Sequence, residues 1–255
     1  MLEASKNYVG RLVEENLRID ERKSDELRSI KVETGIITTA EGSARVTWGN
    51  TIVLAGVKMS VGEPFPDTPD EGVLIVNSEL VPVASPTFEP GPPSEQSIEL
   101  ARVIDRGIRE SHAIDLEKLM VEKGKVWNVN IDVYVLDHDG NFIDAGALAA
   151  IAAVMDAKLP EYKNEKINYA KLTTPLPVKD MPIAVTIAKI GNKILVDPQI
   201  EEENAMDARI TITTTREGDI CSIQKGGEGF FTTNELEKAA DLSIAKGKEI
   251  RTLLK

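Results

Sequence analysis

Arg18-Ile-Asp-Glu-Arg22, followed by Gly42-Ser-Ala-Arg-Val-Thr-Trp-Gly-Asn-Thr-Ile-Val-Leu-Ala-Gly-Val-Lys58, is the stretch that decides the fold. In the second run glycines interrupt an otherwise β-rich apolar pattern. Trp48-Gly49-Asn50 falls between two strand-like segments and predicts a hairpin turn. From Leu27 to Val61 the chain therefore reads as two or three strands, carried by Val32, Ile36 and Ile37, then Val46 and Ile52 to Val57. On the other side of the Arg18 turn, Leu2, Val9, Val13 and Leu17 stand among charged residues, which predicts a surface helix docked on the body.

Outward toward the C-terminus, a proline-rich loop from Gly62 to Pro69 precedes an expected strand pair over Val73 to Val83. Pro86, Pro90, Pro92 and Pro93 then enforce an extended connection. Ser94 is placed to cap a helix whose apolar stripe is Ile98, Ala101, Ile104 and Ile108, while Arg102, Arg106 and Arg109 share another face. Val126 to Leu136 alternates, with Trp127, Val129, Ile131, Val133 and Val135 on one side. After an Asp139-Gly140 turn, Asp144 is expected to cap an alanine-rich helix from Ala145 to Leu159, apolar on nearly every face and stopped by Pro160. Such a helix belongs between layers.

The polar, proline-punctuated stretch from Glu161 to Pro177 is the natural boundary between halves, giving units of residues 1–165 and 166–255 packed together. Ile183 to Ile190, a Gly191-Asn192 turn and Lys193 to Val196 echo the earlier hairpin through a shared Gly-Asn-x-Ile. A second hairpin is expected around Arg216-Glu-Gly-Asp219. Thr232 and Glu235 form a capping box for a last helix burying Leu236, Ala239, Ala240, Ile244, Gly247, Ile250 and Leu253. Strand sets in both halves, each needing a helix over its apolar face, make the fold class α+β.

With 255 residues, 42% of them hydrophobic, the chain is long enough to bury an ordinary core. No run of eighteen apolar residues and no basic-then-apolar leader occurs, so the expectation is a cytoplasmic protein with no membrane contact. Cys221 is alone and reads as a buried strand residue; no Cys/His cluster has metal-ligand spacing. The net charge of −12 opposes nucleic-acid binding by the surface as a whole, because such affinity comes from Lys and Arg displacing counterions. Any RNA contact must come from a local arginine stripe or from a partner chain.

The Arg18 turn, Gly42-Ser43 and Gly49-Asn-Thr51 together resemble the opening of the RNase PH family, whose members share an Arg-x-Asp-Gly-Arg turn, Ala-x-Gly-Ser and Gly-x-Thr-x-Val. Glu21 stands where that turn usually has glycine. The resemblance covers the chain from about Arg18 to the final helix. It implies a pair of β-α subdomains like ribosomal protein S5 domain 2, and 3′-to-5′ RNA degradation by phosphorolysis.

In active members the attacking phosphate is held by a motif resembling Asp-Gly-Gly-Thr-Arg-Thr-Ala. Here the segment is Asp139-Gly-Asn-Phe-Ile-Asp-Ala145, with Ile143 in place of the arginine and Phe142 in place of the hydroxyl residue. The acidic element of active members, Glu-Asp-x-x-x-x-x-Asp, corresponds to Asp197-Pro-Gln-Ile-Glu-Glu-Glu-Asn-Ala-Met-Asp207, read as a solvated acidic loop. The arginine stripe resembles the Arg-Leu-Ile-Asp-Arg-Pro-Leu-Arg helix of bacterial polynucleotide phosphorylase, which implies RNA contact by Arg102, Arg106 and Arg109. His112 and His138 read as turn or surface residues, and Arg45 as a surface strand residue.

A retained fold with a lost phosphate arginine resembles the non-catalytic RNase PH-like subunits of the archaeal exosome. That resemblance implies an alternating ring of three heterodimers with a catalytic RNase PH-like subunit, RNA-binding cap proteins, single-stranded RNA in the channel, and no catalytic residue, metal or cofactor in this chain. The rival expectation is a phosphorolytic exoribonuclease using Glu201 to Glu203 with Asp207. A third is a scaffold whose arginine face is paired with its own Glu95, Glu99 and Asp105.

Overall fold

The alternating run from Val126 is the centre of the larger sheet: strand β6 (Lys125–Asp137) buries Trp127, Val129, Ile131, Val133 and Val135 as its pattern requires. The computed structural model describes residues 2–254, with side chains from Lys6 onward; the expected burial of Leu2 lies outside the described side chains. Strands β1 (Ile30–Thr34), β2 (Gly42–Trp48), β3 (Thr51–Gly62), β4 (Val73–Leu80) and β5 (Met120–Glu122) complete this sheet in the order β1-β2-β3-β6-β4, with β5 also on β6. Trp48 pairs with Thr51 across Gly49-Asn50, which is the expected hairpin. Ile36 and Ile37 lie past the end of β1 and extend no strand.

Val73 to Val83 forms one strand and not a pair. β4 runs parallel to β6, and the chain leaves it at Leu80, where Ala84 N–H donates to the Val81 carbonyl in a turn. Pro82 has no N–H to continue a ladder.

The smaller sheet comprises β9 (Ile183–Ile190), β10 (Lys193–Val196), β11 (Ala208–Thr214) and β12 (Ile220–Gly227), all antiparallel in the order β10-β9-β11-β12. Both expected hairpins are present. Between the sheets lies α3 (Phe142–Asp156), which packs on β1, β2, β3, β6 and β9 and is therefore apolar all round. Gly42 lets β2 approach it: a Cβ there would stand 2.4 Å from the Ala153 carbonyl oxygen. One cluster of buried apolar side chains runs through α3 into both sheets.

The helix begins at Phe142, after Asn141 at φ +54°, so Asp144 is not its cap but a buried member of its first turn. It ends at Asp156. Pro160 sits within β7 (Lys158–Lys163), which pairs with β8 (Lys166–Pro175), so the polar stretch beginning at Glu161 is largely a hairpin. Asn164 and Glu165, both at positive φ, close it with the twist that tight hairpins need.

Helix α1 (Leu2–Glu14) seats Val9 and Val13 on Ala188, Ile190, Leu195 and on Ala205 of α4 (Ile200–Ala205), whereas Leu17 stays exposed beyond its end. In α2 (Glu95–Glu110), the Ser97 N–H donates to Ser94 Oγ at 3.2 Å, the expected cap. The buried face is rotated from the expected stripe to Leu100, Val103, Ile104, Gly107 and Ile108, because α2 rests on β4, α3 and β12 together; Ile98 is 49% exposed. Helix α5 (Thr233–Arg251) has its capping box at Thr232 and Glu235. It buries Ala239, Ser243, Gly247 and Ile250, and leaves Leu236 and Ile244, with Leu253 past its end, exposed. Small residues give the close contact; the larger ones flank it. Among the described residues, no helix is long and apolar enough to cross a membrane.

Candidate nucleic-acid interface

The segment Asp139–Ala145 lies where β6 turns into α3, and its polar atoms are already engaged. Thr51 Oγ1 and Arg28 Nη2 donate to the Gly140 carbonyl at 2.7 and 3.2 Å, and Arg28 Nη1 donates to the Asp139 carbonyl at 2.6 Å. The Asn141 N–H donates to Glu203 Oε1 at 2.7 Å, and Asn141 Nδ2 donates to Asp144 and to Asp197 at 2.9 and 3.0 Å. A helix N-terminus that would otherwise attract an external anion thus meets a carboxyl group of its own chain. Ile143 and Phe142 are buried in apolar packing, so neither offers charge or donor to a phosphate.

The acidic segment is not a solvated loop. Asp197 and Glu202 are fully buried, and α4 carries Glu201 to Glu203 in its first turn. Arg18 binds Glu202 through two bonds of 2.8 and 2.6 Å; Arg28 binds both oxygens of Asp197 at 2.7 and 3.0 Å; Arg22 adds a third cation at 3.0 Å. Burial opposes ionisation of Asp197, yet the bonds from Arg28 hold its carboxyl below the usual range. Two neighbours go the other way. Burial pushes Asp144 up to about 7 against its bonds from Thr186 and Asn141, and pushes Glu203 up to about 7 against its bond from Asn141.

These carboxylates turn to different partners. Glu202 serves Arg18, Glu203 the Asn141 amide, and Asp207 Oδ2 accepts the Gly191 N–H at 2.8 Å. Only Glu201 is exposed within the triplet. Among the described residues no group of three or more His, Cys, Asp or Glu side chains is placed to hold a metal ion.

The Arg18 turn explains its own pattern. Glu21 adopts φ +63°, the left-handed conformation for which glycine is the ordinary choice, and this bend aims Arg18 and Arg22 at the same acidic segment. Arg18, Arg22, Arg28 and Asp197 are readable as residues but not as a network, since the bonds to Glu202 and Asp197 join positions more than a hundred apart in the chain. His138 is likewise not a surface residue: it stacks on Phe88 with centroids 5.3 Å apart, meets Phe142 edge-on, and accepts the Gly140 N–H at Nδ1. His112 is an exposed turn residue at φ +51°, Arg45 is an exposed partner of Glu33, and Cys221 is half-buried in β12.

The arginine stripe divides. Arg102 and Arg106 are exposed, and among the described residues neither forms a hydrogen bond or ion pair. They line an open cavity of about 440 Å³ between α2 and β12, together with Glu95, Ile98, Glu99 and Gln224. Arg109 is drawn aside: it binds Asp105 at 2.7 and 3.0 Å and donates to the Leu74 carbonyl at 3.2 Å. Glu99 binds neither Arg102 nor Arg106, because Arg209 and Gln224 hold it. The geometry therefore leaves two free guanidinium groups one turn apart, at a spacing suited to successive phosphates.

Two family models match the chain: 3′ exoribonuclease family, domain 1, over residues 26–160, and domain 2 of the same family over residues 180–246. The exosome complex component Rrp42 of Thermococcus gammatolerans is 56% identical over 254 residues, covering 98% of this chain and 93% of that protein. Its counterpart from Pyrococcus furiosus is 52% identical over 98% of this chain and 92% of its own length. A chain of the Archaeoglobus fulgidus exosome with RNA bound to the active site superposes with a TM-score of 0.94 at 49% identity, covering 100% of this chain and 99% of that one. A chain of an archaeal exosome core gives 0.89 at 44% identity, covering 100% of this chain and 98% of its own.

Proposed function

Because the chain belongs to the RNase PH family of 3′ exoribonucleases, we propose that it is the non-catalytic subunit of an archaeal exosome. In this reading it alternates with a catalytic RNase PH-like subunit in a ring of three heterodimers, carries RNA-binding cap proteins, and works in the cytoplasm. Its task is to help hold single-stranded RNA while the partner performs phosphorolysis. The observation that carries this is the contrast at two places: Ile143 is buried where active relatives hold phosphate, whereas Arg102 and Arg106 stand exposed in a groove and, among the described residues, unpaired.

Phosphorolysis brings an attacking phosphate against an RNA phosphodiester, and two anions held together need fixed cations. Arg28, the cation nearest the Asp139–Ala145 segment, already serves Asp197 and the loop carbonyls. On α2, Arg102 and Arg106 are free of such partners among the described residues. They supply sequence-independent phosphate contacts, which position a strand without reading its bases. A chain with net charge −12 gains RNA affinity only through such a local patch and its partner.

The test is to incubate the purified chain alone with 3′-labelled single-stranded RNA, magnesium and inorganic phosphate, then repeat with the catalytic partner added. No nucleoside diphosphate is expected from the chain alone and abundant product from the complex. Arg106→Glu in the assembled complex should slow RNA degradation at physiological salt. Product from the isolated chain, lost in Asp207→Asn, would instead make it an enzyme.

A further inference from the structure

Glu99 stands one turn before Arg102 on α2, at the three-residue spacing where a carboxylate pairs readily with an arginine. The same helix holds an example of capture at the neighbouring four-residue spacing, where nothing intervenes: Asp105 binds Arg109 through two bonds. Glu99 behaves differently. Its Oε2 accepts from Arg209 Nη2 at 2.5 Å, and its Oε1 accepts from Arg209 Nη1 at 3.3 Å and Gln224 Nε2 at 3.2 Å. Arg209 comes from β11 and Gln224 from β12, so the smaller sheet reaches across to hold a carboxylate of the helix.

The seat for this contact is built into the sheet. Arg209 lies opposite Gly226 in the β11/β12 register, and a Cβ at position 226 would stand 2.4 Å from Arg209 Nη1 and 2.7 Å from its Cζ. A side chain at 226 would push the guanidinium off this path across β12. A two-point, charge-assisted pair of this kind fixes the direction of both side chains more firmly than a single bond.

We propose that Arg209, seated over Gly226 and seconded by Gln224, is a positioning residue that withholds Glu99 from Arg102 and so keeps the arginine groove open to RNA phosphates. This rests on the reading of Arg102 and Arg106 as RNA-holding residues. Without the Arg209 cation, the Glu99 carboxylate is free to turn to Arg102 as Asp105 turns to Arg109. Even unturned, it leaves an uncompensated negative charge in the groove. Both consequences weaken RNA binding and leave the partner's chemistry untouched.

The experiment uses the reconstituted complex with its catalytic partner, single-stranded RNA and inorganic phosphate, and reads KM and kcat together with the salt dependence of RNA affinity. Arg209→Met should raise the KM for RNA several-fold at unchanged kcat, and flatten the log–log salt slope by about 0.7, one single-strand phosphate contact. Gly226→Ala, which keeps the arginine but removes its seat, should shift KM the same way by less. Adding Glu99→Gln to Arg209→Met should restore KM, since no carboxylate is then released. Failure of that rescue would mean that Arg209 touches RNA itself or only supports the fold, and would overturn the proposal. Arg102→Gln is measured in parallel: an unchanged KM there removes the RNA-holding reading and this inference with it. A raised KM for Arg102→Gln beside a normal one for Arg209→Met removes the inference alone.

Discussion

Arg18, Arg22 and Arg28 stand in the same chain as Arg102 and Arg106 and meet opposite fates. Each guanidinium of the first set is buried or nearly so and has a carboxylate, through Glu202, Asp20 and Asp197. Each of the second set is exposed and, among the described residues, has none. The difference lies in what surrounds the charge. A buried cation must be paired, because the cost of desolvating it alone is several kcal/mol, whereas an exposed one is solvated and remains available. Arginine in the first place ties the start of the chain to the α4 region; in the second it can meet a ligand.

Removing the shared anion of the buried set should have the largest effect. Asp197→Ala leaves Arg28 and Arg22 facing an apolar gap and should destabilise the chain by about 3–5 kcal/mol, as one-sided loss of a buried pair does. Thermal or denaturant unfolding measures it. A loss no larger than that of an exposed arginine would mean that water reaches this network.

The next effect is on pH. Asp144 and Glu203 have folded-state values raised to about 7, against unfolded values of about 3.9 and 4.3. The folded chain therefore holds protons that the unfolded chain releases, so stability should fall as pH climbs from about 4 to about 7 and then level off, by up to about 4 kcal/mol for each group. Asp197, held below its usual range, acts oppositely and only under acid conditions, below about 3.9. Melting temperatures at pH 5 and pH 8 test this, and Asp144→Asn should flatten the difference. The asparagine fits because Thr186 Oγ1, which donates to Asp144 at 2.6 Å, is a hydroxyl that can also accept.

Within α2 the expected effect is small. Arg109 is exposed like Arg106 but already paired with Asp105, so Arg109→Gln should cost about 0.3–0.5 kcal/mol of stability. It should change RNA affinity of the assembled complex less than Arg106→Gln does, in side-by-side binding titrations. Equal effects would mean that RNA displaces Asp105.

The fold was legible wherever a pattern is local. The alternation of β6, the Gly49-Asn50 and Gly191-Asn192 hairpins, the Ser94 and Thr232 caps and the all-round apolar α3 each depend on neighbours a few residues away. The misses are of another kind. The buried face of α2 differs from the expected stripe because three elements pack on it at once, and Asp144 is a buried member of the first turn of α3 and not its cap. At the candidate site, the loss of the phosphate arginine at Ile143 was readable as a residue type. The engagement of Glu202 by Arg18 and of Glu99 by Arg209 was not.

The elements, the family resemblance and the stock of charges follow from the amino-acid order: periodicity and capping act over one or two turns, and residue identity is written in the chain. Which of those charges are free depends on how the chain packs in three dimensions. Arg18 and Glu202 stand 184 positions apart, and Arg209 and Glu99 110. Pairing at such separations follows from the packing of the two sheets around α3, and a Coulomb partner is chosen by distance in space, to which spacing along the chain gives no guide.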